Sequence, residues 1–136
     1  MKTERLKEKL RKIANRHGVC CYFWKTKKKA NGWAARTKID GETIVRHIDL
    51  EDSGHPEELI ALFFHELAHC LDTEVYVWAI DAEVNPWCKG FELMEAHGFT
   101  VTSNHILICR DALLSHGTPA RWLDDVVEHL TRKYVT

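Results

Sequence analysis

The sequence contains no apolar run approaching the roughly 18 residues of a membrane-crossing helix. Its first residues, Met-Lys-Thr-Glu-Arg-Leu-Lys, include no apolar core of the kind that directs secretion, so a cytoplasmic protein without a membrane partner is expected. Charge of one sign is also lacking. Nineteen Lys and Arg stand against twenty Asp and Glu, a formal net charge of −1, which gives no global attraction to nucleic acid. The five cysteines, Cys20, Cys21, Cys70, Cys88 and Cys109, are odd in number and form no Cys-x-x-Cys pair, so they read as reduced thiols. Adjacent Cys20 and Cys21 would point to opposite faces of a strand and could not share a metal. Repeats, low-complexity stretches and linkers are absent as well. At 136 residues the chain fits one domain, 1–136, with enough core to fold unaided. A metal site in it would therefore serve function before folding.

What is present reads as one helix, a small sheet, then further helices: an α+β fold. Leu6, Leu10, Ile13 and Ala14 recur at helical spacing over residues 3–16, and Gly18 follows. Val19–Lys25, Gly32–Lys38 and Thr43–Leu50 are β-like, with Asp40-Gly41 a strong hairpin signal between the last two. A three-stranded antiparallel meander is the expectation. Between the first two segments stands Lys25-Thr26-Lys27-Lys28-Lys29, which reads as a solvated turn, with Tyr22, Phe23, Trp24 and Trp33 assigned to the core. Nucleic acid is accordingly not expected as a partner.

Pro56, with Glu57 and Glu58 behind it, opens a helix that runs through Leu59, Phe63, Phe64, Leu67 and Leu71. A second long helical segment covers about Val75–His97, interrupted by Pro86. Asn104–Ser115 and Pro119–Tyr134 complete the set.

Within the Pro56 helix, residues 65–69 read His-Glu-Leu-Ala-His. Positions i and i+4 share one helix face, so His65 and His69 can reach one ion. Glu66, about 100° further round, can reach a water on that ion without becoming a ligand. Zn2+ suits two imidazoles with an open position, and a carboxylate can then act as general base in attack on a peptide carbonyl. The extended motif with a third histidine is missing, because Asp72 and Val75 hold those positions. An acidic residue of the next helix is the remaining solution: Glu83, fourteen residues after His69 (83 − 69), or Glu92 or Glu95. Asp72 shares the histidine face and suits a supporting role. Cys70 points about 100° away from it. Tyr76, His97 and His105 are the candidates for a donor to a developing oxyanion, with none assigned.

On these residues the chain resembles the gluzincin-type zinc metallopeptidases, most closely the small ImmA/IrrE-like family. The likeness covers about residues 40–98, where His65-Glu66-Leu67-Ala68-His69 is followed by Glu83-Val84-Asn85-Pro86-Trp87-Cys88, with Pro86 as a departure from the family pattern. It implies a zincin-like fold, His65, His69 and Glu83 as zinc ligands, and Glu66 as general base. It also implies a protein or peptide substrate, regulatory proteins among them, and a strand, nominated as Thr43–Asp49, that lines the cleft and pairs with it. The alternative is a non-hydrolytic zinc-binding or partner-binding protein on the same scaffold.

Overall fold

Residues 2–26, 31–39, 43–71 and 79–135 are described by the computed structural model. Leu10, Ile13 and Ala14 form the buried stripe of the first helix, α1 (Lys2–Arg16). Lys7 on the same helix is buried too, its Nζ 2.7 Å from Asp52 Oδ2 and 3.1 Å from Glu4 Oε1.

Three strands follow: β1 (Val19–Lys25), β2 (Gly32–Ile39) and β3 (Thr43–Asp52). Their order is β1-β3-β2, with β3 parallel to β1 and antiparallel to β2. The antiparallel meander is thus corrected to a mixed sheet. The chain does reverse between β1 and β2, as the turn residues require. However, it leaves between them a gap one strand wide, which β3 fills. Burial explains the choice, because β3 carries Ile48 and Leu50, both 0% exposed, and only the central position covers it from both sides. The hairpin expected at Asp40-Gly41 joins β2 to β3, where Ile39 is the partner of Thr43; residues 40–42 themselves lie outside the described residues.

Alternation along β1 turns Val19 and Cys21 inward and Cys20, Tyr22 and Trp24 outward. Of the four aromatics expected inside, Phe23 alone packs against the core. Tyr22, Trp24 and Trp33 stand on the open face of the sheet, 51%, 58% and 50% exposed.

The other face carries α2 (Pro56–Leu71), which is buried on nearly every side from Leu59 to Cys70. It lies against β2, β3 and α1 on one side and against α3 (Ala79–Ala96) and α4 (Ser103–Ser115) on the other. This sandwiching accounts for an apolar stripe too wide for a surface helix. Helix α3 is continuous through Pro86, where an interruption was expected. The proline forfeits one backbone hydrogen bond. Trp87, Phe91 and Met94, each 1% exposed or less, hold the segment in place by burial. Residues 75–78 of the expected helix lie outside the described residues. The last helix, α5 (Ala120–Tyr134), packs on α4.

Candidate metal centre

His65, Glu66 and His69 project from the final turns of α2, where the helix is buried on nearly every side. His65 Nε2 lies 3.2 Å from His69 Nε2. Glu83 Oε2, arriving from α3, is 3.3 Å from His65 Nε2 and 3.7 Å from His69 Nε2. Two ligands on one tetrahedral zinc, with bonds of about 2.1 Å, stand about 3.4 Å apart. All three observed spacings match that figure. Among the described residues, His65, His69 and Glu83 are the group whose ligand atoms gather within 4.8 Å of one another, and they could hold a metal ion.

Two features of α3 bring Glu83 there. Glu83, Trp87 and Gly90 follow at i, i+4 and i+7, so they share one helix face. At Gly90 this face meets α2 backbone to backbone: an added Cβ would stand 3.0 Å from Phe64 O and 3.1 Å from His65 N. Trp87 then lies flat on the His65 ring, with centroids 4.2 Å apart and planes 17° from parallel. His65 Nδ1 is buried without a hydrogen-bond partner. A ligating histidine is normally oriented through that nitrogen; here the Trp87 stack holds the ring.

The protonation states suit a cation. Burial pulls the His65 pKa below its ordinary value, favouring the neutral imidazole that binds metal. Burial opposes ionisation of Glu83 too, but the two imidazoles outweigh it and hold its carboxyl well below the usual range. Glu66 differs. Only 7% exposed, with Oε1 3.7 Å from His65 Nε2, it is pushed up to about 7 mainly by burial, with His69 lowering and Glu83 raising its pKa. A carboxylate at that value is matched to proton transfer near neutrality. Above it lies Gly32 of β2, where an added Cβ would come within 2.7 Å of Leu50 Cδ2 and 3.1 Å of Glu66 Cγ. Glycine leaves the space that Glu66 occupies.

The centre opens into a cleft of about 680 Å³. Gly32, Trp33 and Ala34 of β2 line one side of it, and Ile108, Ala112 and His116 at α4 the other. The nomination of Thr43–Asp49 as the cleft strand is corrected: β3 is hydrogen-bonded on both sides and cannot take another strand, whereas β2 is an edge strand.

His116 was not among the sequence candidates. It is the C-cap residue of α4, with Gly117 beyond it at φ 87° closing the helix and Thr118 N bonding back to Leu113 O. This cap presents the imidazole to the cleft, with Nε2 3.9 Å from Glu83 Oε2. The Ser-His-Gly sequence marks a helix end; nothing local marks where that end points.

The other named residues fall elsewhere. Glu92 pairs with Lys133 at 3.3 Å on the surface, and Glu95 is exposed. His97 packs against Phe64 and His17. His105 closes a capping box with Thr102 at the start of α4. Cys70 directs its thiol at the His47 carbonyl, 3.7 Å away. Asp72 and Tyr76 lie outside the described residues. Comparisons of the chain with protein-family models, with curated proteins and with solved structures returned no match. The reading of this centre therefore rests on its geometry.

Proposed function

We propose that the chain is a zinc-dependent metallopeptidase of narrow range, zincin-like in fold and akin to the ImmA/IrrE-like gluzincins, acting on a protein or peptide in the cytoplasm. The observation that carries the reading is the coincidence of two things: three donors at zinc spacing, and a buried carboxylate beside them that is not one of the three. His65, His69 and Glu83 would hold the ion. When bound, it supplies Lewis acidity that polarises a carbonyl and eases deprotonation of a water.

The chain's own residues do the rest. Glu66 accepts a proton from the attacking water and can pass it to the departing amine. The free edge of β2 at Gly32–Ala34 offers backbone groups to an extended substrate. His116, on the far wall, can donate a hydrogen bond to the carbonyl oxygen as negative charge develops there.

Metal content by elemental analysis tests this, on wild type beside His65→Ala, Glu66→Gln, Glu83→Gln and His116→Ala. About one zinc per chain is expected in wild type, Glu66→Gln and His116→Ala, with losses in the other two. Mass spectrometry of a digested peptide library should then show cleavage by wild type that Glu66→Gln abolishes. A wild type that takes up no zinc on reconstitution sinks the proposal. His116 also carries the one observation favouring the non-hydrolytic alternative, because a fourth nitrogen ligand would close the site. Zinc lost from His116→Ala would select that reading.

A further inference from the structure

A net charge of −1 conceals an uneven distribution. Helix α1 holds seven Lys and Arg against two Glu, 7 − 2 = +5, and the remainder of the chain is acidic. Two of these cations serve the fold: Lys7 is buried against Asp52 and Glu4, and Arg11 lies over the Phe23 ring, 4.9 Å from its centroid. Arg5, Lys9, Lys12 and Arg16 are exposed, and none of them forms an ion pair among the described residues. At 100° and 1.5 Å per residue these four fall within about 60° of the helix circumference and extend about 16 Å along its axis. They form a single row, on the solvent side of the buried stripe of Leu10 and Ile13. Lys9 Nζ, 4.5 Å from the centre of the Phe99 ring, shows what lies along one edge of the row. Residues 98–102 there read Gly-Phe-Thr-Val-Thr and carry no charge. Along the other edge Glu8 stands about 40° further round, and Glu4, beyond it, is paired with Lys7.

The shape of this charge selects its occupant. Four cations in a row, with no carboxylate answering them, raise the potential along a line. An anionic membrane is a plane, and a plane laid on this flank meets Glu8 as well as the row. The apolar residues of α1 are buried against the core and have nothing to insert. An acidic protein helix would have to match four positions on a second surface. A nucleic-acid duplex needs no such match, because each strand is itself a row of charge. With one phosphate per ~3.4 Å of axis, about five phosphates of one strand cover the length of the four side chains. The row contains no aromatic ring on which an unpaired base could stack, which favours the duplex over a single strand. We propose that the outer flank of α1 binds the phosphate backbone of duplex nucleic acid through Arg5, Lys9, Lys12 and Arg16. Contacts confined to the backbone position a protein without reading bases, so binding is indifferent to sequence.

The test is fluorescence anisotropy of the full chain with a labelled DNA duplex of about 20 base pairs, over a range of salt. Four neutralised phosphates give a slope of about −3.6 in log affinity against log salt, which is a loss of about 150-fold between about 50 and 200 mM. Arg5→Gln, Lys9→Gln, Lys12→Gln and Arg16→Gln should each flatten the slope by about 0.9, and the quadruple variant should not bind. Exchanging Arg for Lys and Lys for Arg at the same four positions keeps the charge and should keep the affinity. Replacing Lys89, Arg110, Arg121 and Lys133 by Gln makes the same change in net charge elsewhere and should leave the slope at its wild-type value. His65→Ala should bind as wild type does, which keeps the result separate from the metallopeptidase reading. No binding at about 100 µM protein in low salt, a quadruple variant of undiminished affinity, or an equal loss in the control variant would each overturn the proposal. So would tighter binding to phosphatidylserine vesicles or to a Glu-rich helical peptide than to the duplex, which would assign the row to a membrane or to an acidic protein.

Discussion

Gly90→Ala is the substitution that asks most directly whether helix packing builds the metal centre. The new Cβ would stand 3.0 Å from Phe64 O and 3.1 Å from both His65 N and Phe64 C. Apolar contacts settle at about 3.5 Å or more, so something must give by roughly 0.4 Å. All three neighbours are backbone of a buried helix, so α3 has to move and α2 stays. Overpacking of this kind costs about 1–3 kcal/mol. Alanine recovers about 1 kcal/mol of that through helix propensity. The net loss is about 1 kcal/mol, a fall of about 4 °C in melting temperature for a domain of this size. The sharper effect falls on zinc. Glu83 and Trp87 sit on the displaced face, and the 3.3 Å approach of Glu83 to His65 opens as α3 withdraws. Affinity should drop about tenfold, the low end for losing support behind a ligand. Chelator competition measures the affinity, and melting with and without zinc measures the stability. Wild-type values in both would refute the argument that Gly90 sets the distance between ligand-bearing helices.

Local pattern in the sequence carried the helices and the i, i+4 histidines, because a helical period places residues relative to their own axis and needs nothing else. Spacing alone left Glu83, Glu92 and Glu95 open, and the family resemblance singled out Glu83; the face it shares with Trp87 and Gly90, where α3 meets the α2 backbone, was a signal left unread. The sheet order was not legible. Turn residues between Lys25 and Gly32 dictate that the chain reverses, but whether the returning strand is adjacent or one place removed depends on which strand most needs cover, and Ile48 and Leu50 decided that from a distance. The same limit hid His116, whose helix end is plain in sequence while its direction is set by how α4 packs on α2. Strand alternation could have placed Tyr22 and Trp24 outside, given Val19 and Cys21 inside. Aromatic character argued for the core instead, and on an open sheet face the period of two is the stronger guide.

Two more substitutions probe the frame around the site. Gly117→Ala forces a side chain into the left-handed conformation at φ 87°. It should cost about 1 kcal/mol, read as a melting temperature about 4 °C lower, and it should slow peptide cleavage while leaving zinc content at wild-type level if His116 acts on substrate. Lys7→Met removes the partner of Asp52, whose carboxylate is buried 2.7 Å from the Lys7 ammonium. Leaving that charge unpaired should cost about 3 kcal/mol, the lower end for a buried pair because this one sits near the rim of the sheet, and the urea midpoint should fall accordingly. Burial disfavours ionised Asp52, but the Lys7 hydrogen bond, the Gly54 N–H and the lysine's charge outweigh it and depress the folded pKa below 3.8. For a depressed carboxyl the stabilisation is complete above the unfolded value and is lost as pH falls through the folded one. Wild type should therefore surrender the contribution of the pair only below about pH 4, and Lys7→Met should show no such step there. An identical acid dependence in the two proteins would mean that Asp52 is not held ionised by Lys7.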